Sequence, residues 1–364
     1  MATTASLPVQ PAATLPAKPK SRFWRVVKWV LLIVVGLVVC AAIAGALYQA
    51  IGNWRDSRRF PQQGRSVNLG PQFANTNLNI DCSGQASPGA RTVILDSGLG
   101  VPAVGWKFVQ PEIAKFTRVC SYDRAGYGWS GAGPMPRTSS KIAKELHALL
   151  SSAGEKPPYI LVAHSFGGYN VRVYTGMYPA EVAGVVLVDT SHEDQVSRMP
   201  KSLKEMQQSQ IKEEESQRKL FPVLLFFGVA RWTMGREYDP RLPHDFQDEI
   251  RYLQLQPKFL DAIGEEFRSF EESAKEVHAA GTLGDRPLVV LTAGKNPDMK
   301  LLPKTISAKD MEEFHEIWVK DLQVQEAHLS TRGKQVLVED STHMIPFERP
   351  DTVVSATREV WSNE

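Results

Sequence analysis

Seven short apolar runs recur from residue 76 onwards, and amphipathic segments separate most of them. They lie at 78–82, 92–98, 118–123, 159–165, 184–190, 287–293 and 334–340. Several are nearly continuous stretches of Val, Ile and Leu, as strands buried on both faces are. Strands that alternate with helices predict the α/β class, a mainly parallel sheet with helices on both faces.

The size and charge of the chain limit what it can do. Its 364 residues are 43% hydrophobic and 23% charged, which suits one large domain with a sizeable core. The formal net charge is +2, and no basic face is interleaved with aromatic residues. Nucleic acid is therefore not an expected partner, and the sequence identifies no protein partner.

One long apolar run, WVLLIVVGLVVCAAIAGALY (29–48), carries no charge. As a helix it would be about 30 Å long, which matches the hydrocarbon core of a bilayer. A cleaved secretory signal has a shorter run of about 7–15 apolar residues, so a retained membrane anchor is favoured. We predict a disordered tail over 1–22, a transmembrane helix over 23–50, and a linker with the first strand over 51–75.

Basic residues flank this apolar run on both sides. Those before it are Lys18, Lys20, Arg22, Arg25 and Lys28, and those after it are Arg55, Arg58, Arg59 and Arg65. The small excess before the span favours a cytoplasmic amino terminus and an extracytoplasmic domain. Cys82 and Cys120 both fall on predicted strands. A disulfide between them would suit an oxidising compartment, and two separate buried cysteines are the alternative.

Residues 191–285 contain no good strand candidate and separate 76–190 from 286–364. This stretch begins with a charged helical run and continues with an apolar patch at 221–232. We predict a helical cap here, inserted after the sixth strand. The apolar patch would either line a substrate pocket or contact the bilayer, and both interpretations stay open.

The most specific motif is AHSFGG (163–168), which follows the apolar run YILVA and precedes a helical pattern. A serine among small residues between a strand and a helix is typical of the nucleophile elbow, G-x-S-x-G. Ala163 replaces the first glycine, and a small residue there still fits the tight turn. The elbow would present the Ser165 hydroxyl beside the amino terminus of the following helix. We predict that Ser165 is a nucleophile.

With this motif and three others in the same order, residues 76–364 resemble the α/β-hydrolase superfamily, especially its capped, esterase-like branch. The resemblance implies a mostly parallel, eight-stranded sheet flanked by helices. The second motif, DSGLG (96–100), is similar to the family's oxyanion loop, with Ser97 in place of histidine. It implies that the N–H groups of Leu99 and Phe166 hold the oxyanion.

The remaining two motifs lie after later strands. The segment YDRAGYGWS (122–130) resembles the family's D-x-R-G-x-G-x-S loop, which implies a structural role for Asp123 and Arg124. The segment STHMIPFERP (341–350) resembles G-H-x-x-x-x-E-x-P and implies that His343 is the base. His164 adjoins the nucleophile in sequence, and we expect its side chain to point away from Ser165.

The acid of the triad must lie between Ser165 and His343 in this family's chain order. Asp298 is the carboxylate that most closely follows the predicted strand at 287–293, and we favour it. Some relatives place the acid one strand earlier, where Asp189 ends a strand, so Asp189 is the alternative acid.

The resemblance also implies a reaction and a compartment. It places the strands of Cys82 and Cys120 side by side, which favours a disulfide and an exported domain. The expected reaction is hydrolysis of a small apolar carboxylic ester through an acyl-serine, without cofactor or metal. Ser165 argues against epoxide hydrolases and dehalogenases, which use aspartate at the elbow. A carbon–carbon bond hydrolase, a cofactor-free haloperoxidase and an inactive membrane-anchored binding module remain alternatives.

Overall fold

The computed structural model describes residues 22–85, 89, 91–234 and 238–363, so nearly all of the predicted disordered tail lies outside the described residues. Its centre is an eight-stranded sheet in the order β1-β2-β4-β3-β5-β6-β7-β8. The strands are β1 (Arg65–Asn68), β2 (Asn77–Ser83), β3 (Val93–Asp96), β4 (Val119–Tyr122), β5 (Tyr159–His164), β6 (Val182–Val188), β7 (Leu288–Ala293) and β8 (Gly333–Val338). β2 pairs antiparallel with its two neighbours, and the other pairings are parallel. The predicted sheet is confirmed.

Helices cover both faces of this sheet. They are α1 (Arg22–Arg59), α2 (Gln110–Ile113), α3 (Ser139–Ala153), α4 (Gly167–Met177), α5 (Gln195–Arg198), α6 (Lys201–Phe226), α7 (Val229–Met234), α8 (His244–Gln254), α9 (Pro257–Arg268), α10 (Phe270–Ala280), α11 (Ala308–Ile317), α12 (Gln323–Ala327), α13 (Ile345–Glu348) and α14 (Pro350–Ser362). Successive side chains on a strand point to opposite faces. Leu161 of β5 therefore joins the core under α3 and α4, whereas Val162 joins the core under α14.

Between β6 and β7, the described residues form six helices, α5 to α10, and contain no strand. We call this region the cap. Its last helices return to the core, where Phe270 of α10 lies 5.1 Å from the ring of Tyr169 on α4. The first turn of α6 also packs on the core, where Leu203 contacts Ile306 and Met311, so the end of the cap that extends away from the core is the last part of α6 with α7.

The first helix is longer than predicted. The structure contains one helix, α1, that is long and apolar enough to cross a membrane, among the residues it describes. Residues 51–59, which we predicted as part of a linker, continue this helix and contact the cap. Arg59 forms ion pairs with Asp245 and, at 2.9 Å, with Asp248. The helix ends just before Pro61, which could not donate a helical hydrogen bond.

Cys82 and Cys120 lie directly opposite each other in the antiparallel pairing of β2 with β4. They form a disulfide, with 4.0 Å between their Cα atoms. The alternative of two separate buried thiols therefore does not apply to this structure.

Candidate active site

Ser165 lies in a sharp turn between β5 and α4, at a left-handed φ of 53°. That conformation is uncommon outside glycine. Main-chain hydrogen bonds hold it, because the Ser165 carbonyl accepts from the N–H groups of Gly168 at 3.0 Å and Ser191 at 3.1 Å. Steric contacts explain why the motif has glycine at positions 167 and 168. A Cβ on Gly167 would lie 2.6 Å from the carbonyl oxygen of Asp96, and one on Gly168 would collide with Thr190.

The structure brings Ser165 and His343 together, as the sequence predicts. The His343 Nε2 atom lies 3.0 Å from Ser165 Oγ. The opposite ring nitrogen, Nδ1, lies 2.6 Å from Oδ2 of Asp189. Because a carboxylate only accepts, Nδ1 carries the proton and the lone pair of Nε2 faces the serine hydroxyl. This is the tautomer that general-base catalysis requires.

The acid in this arrangement is Asp189, the alternative that the sequence analysis ranked second. The prediction of Asp298 is wrong. Asp298 is exposed, and its Oδ1 accepts the N–H of Lys300 at 2.9 Å, where it caps a 3-10 turn, Met299–Leu301. Asp189 directly follows β6 with a φ of 45°, and this left-handed turn is where the carboxylate meets the ring of His343.

Asp189 is buried, and three donors surround it. Its Oδ1 accepts from the Ala293 N–H and from the Trp318 indole, both at 2.9 Å, while Oδ2 contacts His343. Burial by itself would raise the pKa of Asp189, but the hydrogen bonds from His343, Ala293 and Trp318 outweigh it. The pKa is therefore below its usual value. Asp189 stays ionised and can stabilise an imidazolium on His343.

Two main-chain N–H groups beside the serine are available to a ligand. Those of Leu99 and Phe166 make no hydrogen bond within the described part of the chain. The neighbouring donor at Gly100 is occupied, because it bonds the Tyr127 hydroxyl at 3.1 Å. The loop also lies against the elbow, since a Cβ on Gly98 would be 3.1 Å from the Ser165 Cβ atom. The predicted oxyanion donors thus lie on the two segments that meet at Ser165.

Buried Arg124 holds this loop in place. Its guanidinium donates to the carbonyl oxygens of Ser97 at 2.6 Å and Gly98 at 3.0 Å. The same group forms a two-pronged ion pair with Glu266 of cap helix α9, with both distances 2.9 Å. This agrees with the structural role expected for Arg124. It also shows that the cap and the loop at 97–100 are joined through one buried charge pair.

Sequence reasoning assigned no role to His164 or Trp318. The Nε2–H of His164 donates to the main-chain carbonyl of His343 at 2.8 Å, so it supports the loop that carries the base. Burial and the adjacent His343 ring lower the pKa of His164 to about 3, so its ring is neutral. A histidine at the end of a buried strand needs a hydrogen-bond partner, and this requirement could have indicated a supporting role for His164 from the sequence.

Trp318 begins a π-helical turn, Trp318–Leu322, between α11 and α12. Such turns are rare and frequently occur at functional sites. The turn is where the indole N–H contacts Asp189. No local pattern in the sequence marks a π turn, so this residue could not be identified from the sequence.

Two of the cavities beside the His343 loop lie where a substrate could reach the site. A cleft of about 240 Å³ opens at Ser165 and His343 and is lined by Met311, Phe314 and Trp318. A more apolar cavity of about 360 Å³ lies between the cap and the loop at 97–101. Its walls include Gly100, Val101, Phe246, Ile250, Met344 and Phe347.

Comparison with known proteins agrees with this fold. The model of the alpha/beta hydrolase family matches residues 93–356, so the chain belongs to that family. It is similar to the uncharacterized protein YqjL of Bacillus subtilis, with 24% identity over 272 residues, 74% of this chain and 83% of YqjL. Other curated relatives are matched over half or less of their own length.

Two solved structures illustrate the range of this fold. A thermophilic esterase from Thermogutta terrifontis is 20% identical, with a TM-score of 0.53 over 82% of this chain and 97% of the esterase. A bromoperoxidase from Bacillus anthracis is 15% identical, with a TM-score of 0.58 over 83% of this chain and 100% of the bromoperoxidase. Identities this low establish the fold alone, and the reaction has to be argued from the site.

Proposed function

We propose that this protein is a serine hydrolase that cleaves carboxylic esters through an acyl-serine intermediate. The observation that carries the proposal is the hydrogen-bonded series from Ser165 Oγ through His343 to the buried carboxylate of Asp189. The complete series, on a strained elbow, argues against an inactive binding module on the same fold.

In the proposed reaction, His343 Nε2 accepts the hydroxyl proton as Ser165 Oγ bonds to the ester carbonyl carbon. The N–H groups of Leu99 and Phe166 donate to the oxyanion that forms, and a donor of this kind contributes about 10²–10³ in turnover. The tetrahedral intermediate collapses when the imidazolium returns its proton to the departing alkoxide. Water then attacks the acyl-serine with His343 again as the base, which releases the acid and restores Ser165.

We propose that the apolar cavity beside Gly100 receives the acyl chain of a small apolar ester. Phe246, Ile250, Met344 and Phe347 give this cavity apolar walls, and Arg251, which also lines it, forms an ion pair with Asp248. About 360 Å³ is within the range of small-molecule sites. A chain-length optimum for hydrolysis would measure how much of this space the substrate uses.

The nucleophile is tested by labelling with a fluorophosphonate probe and by turnover of p-nitrophenyl esters of graded chain length. The variants are Ser165→Ala and, as a matched control, Ser191→Ala, because Ser191 lines the same cleft. We expect the wild type and Ser191→Ala to be labelled and Ser165→Ala to be inert. A folded wild-type protein that neither labels nor turns over would overturn the proposal and favour the binding module.

We also propose that α1 anchors the protein in a membrane, with the catalytic domain on the extracytoplasmic side. No residue in the apolar window of α1 is buried in the rest of the protein, which suits contact with lipid. The Cys82–Cys120 disulfide suits an oxidising compartment. The test uses a terminal epitope tag and protease on intact cells. We expect a carboxy-terminal tag to be digested and an amino-terminal tag to be protected, and the reverse pattern would overturn the orientation.

A further inference from the structure

We propose that the outer end of the cap lies in the interfacial layer of the bilayer, where it forms a second membrane contact beside α1. This end, here called the cap tip, comprises residues 220–234, the last turns of α6 and all of α7. The inference rests on the proposed membrane anchoring of α1. It decides between the two uses that the sequence left open for the apolar patch.

The depth of the cap tip follows from its packing against α1. A Cβ on Gly228 would lie 2.8 Å from the carbonyl oxygen of Gly45, and a Cβ on Gly45 would collide with the carbonyl of Phe227. The two backbones are therefore in direct contact. Gly45 lies one turn before Tyr48, the end of the apolar run, so it is roughly 5 Å deeper along the helix. If α1 spans the bilayer, the turn between α6 and α7 lies at that depth too.

The contact between α1 and the cap tip becomes polar towards the end of α1 that would lie outside the bilayer. Arg231 of α7 donates to the Gln49 side chain at 3.0 Å and to Asn53 at 2.7 Å. It also forms an ion pair with Asp56, two turns beyond Gln49. The polar side of the interface thus faces the water-exposed end of α1, while the glycine contact lies on the lipid side. A helix at a membrane surface has this arrangement of charge and apolar side chains.

The cap tip presents large apolar side chains that the protein itself leaves uncovered. Those exposed by about half or more are Leu220 at 53%, Val223 at 49%, Phe226 at 62% and Trp232 at 54%. Val229, next to the glycine contact, is 41% exposed. Large apolar side chains exposed together within one short segment are uncommon on a soluble protein and mark an interaction surface. Its position next to a membrane-spanning helix makes lipid the occupant.

The alternative use, as the lining of a substrate pocket, does not fit these side chains. Among the described residues, Phe226, Val229 and Trp232 line neither the cleft at the triad nor the cavity of about 360 Å³, and the cap tip reaches the latter through Met234, the last residue of α7. The charged first part of α6 ends at Lys219, and from there to Trp232 the only charge is that of the paired Arg231. The helix thus runs from a solvated end to an apolar end, as it would if it met a bilayer.

The experiment measures the depth of single labelled cysteines in full-length protein reconstituted into phosphatidylcholine vesicles. An environment-sensitive fluorophore is attached at Phe226→Cys or, as the control on the same helix, at Ser209→Cys, both in a Cys40→Ser background. Ser209 is also exposed and lies about 25 Å away along the helix. Native Cys40, labelled in otherwise unchanged protein, reports the anchor. Quenching by aqueous iodide is compared with quenching by lipids spin-labelled near the headgroup or near the chain end.

We expect the label at 226 to be quenched at least threefold more by headgroup-proximal spin label than the label at 209, and to be protected from iodide. Iodide quenching at 226 equal to that at 209, with Cys40 still quenched only by lipid, would overturn the second contact and leave the anchor intact. Protection of 226 from both quenchers would also overturn it, because the patch would then face protein. Iodide quenching of Cys40 would remove the anchor and the inference together.

Discussion

β6 and β7 are neighbours in the sheet and end at the same edge, and each is followed by an aspartate. Asp189 after β6 is buried and accepts hydrogen bonds from a main-chain N–H, an indole and an imidazole. Asp298 after β7 is exposed and only caps a short turn. Asp189 and Asp298 therefore differ in role because one carboxylate is buried among hydrogen-bond donors and the other is exposed. Distance along the chain from a strand end does not decide which one serves the base.

The largest expected effect is that of removing the charge of Asp189, which tests the difference between the two aspartates directly. Asp189→Asn should lower kcat by about 10⁴-fold, because an amide stabilises the wrong His343 tautomer and no imidazolium. Asp298→Asn is the matched change at the other strand end and should leave kcat within about twofold. Steady-state ester hydrolysis measures both. If Asp298→Asn were the more damaging change, the assignment of the acid would be reversed.

The second prediction concerns the indole N–H of Trp318, one of the donors that surround Asp189. Trp318→Phe removes one of the donors that keep the pKa of Asp189 low, and hydrogen bonds to charged groups contribute about 1.5–3 kcal/mol. We expect kcat to fall about tenfold, with the acidic limb of the pH–rate profile moved to higher pH. Trp361→Phe is the control, since that ring packs on Phe116 of the distant core face. An unchanged profile for Trp318→Phe would show that the indole does not position the acid.

A smaller effect is expected at the support of the base. His164→Phe removes the N–H that bonds the His343 carbonyl, so the base would be less well positioned and kcat should fall several-fold at constant KM. Because the pKa of His164 is about 3, the ring is neutral throughout pH 5–9 and the loss should not vary with pH. His164→Gln, which can still donate, should recover part of the activity. A pH-dependent loss would mean that His164 itself titrates during turnover.

The smallest expected effect is a pH-dependent change in thermal stability that is caused by Glu326, beneath the Asp189 loop. Glu326 is buried, hydrogen-bonds the Thr190 hydroxyl, and burial raises its pKa to about 8 despite Arg172. Burial therefore favours the neutral form of Glu326 in the folded protein. Its contribution to the free energy of unfolding is fully present below the unfolded-state pKa of about 4.3 and is lost as the pH rises through the folded-state pKa of about 8.

Glu326→Gln stays neutral and lacks this pH dependence. The melting temperature of the wild type minus that of Glu326→Gln should therefore decrease between pH 5 and pH 9, measured by thermal unfolding in detergent. Glu316→Gln, at an exposed position on α11, should show no such trend. A difference that stays constant with pH would show that Glu326 is ionised in the folded protein.

The core was more predictable than the cap. Each strand from β2 to β8 overlaps an apolar run that the sequence marks, and the runs are most continuous in the central strands, such as β5 and β7, which are buried on both faces. Ser165 was identifiable because its turn requires small residues at 163, 167 and 168. The end of α1 was not identifiable, because Arg55, Arg58 and Arg59 are typical of a solvated linker. Arg59 becomes helical and paired only where Asp245 and Asp248 of the cap approach it.

The sequence by itself determined most of the sheet and identified the candidate nucleophile and base, since local sterics and hydrophobic periodicity act over a few neighbouring residues. Only the tertiary structure decided the acid, the supports His164 and Trp318, and the disulfide between Cys82 and Cys120. Each of these depends on atoms far apart in the chain, such as the 2.9 Å contact of Trp318 with Asp189. The strength of a buried charge or hydrogen bond is set by the surrounding donors and by exclusion of water, which arise when distant segments pack.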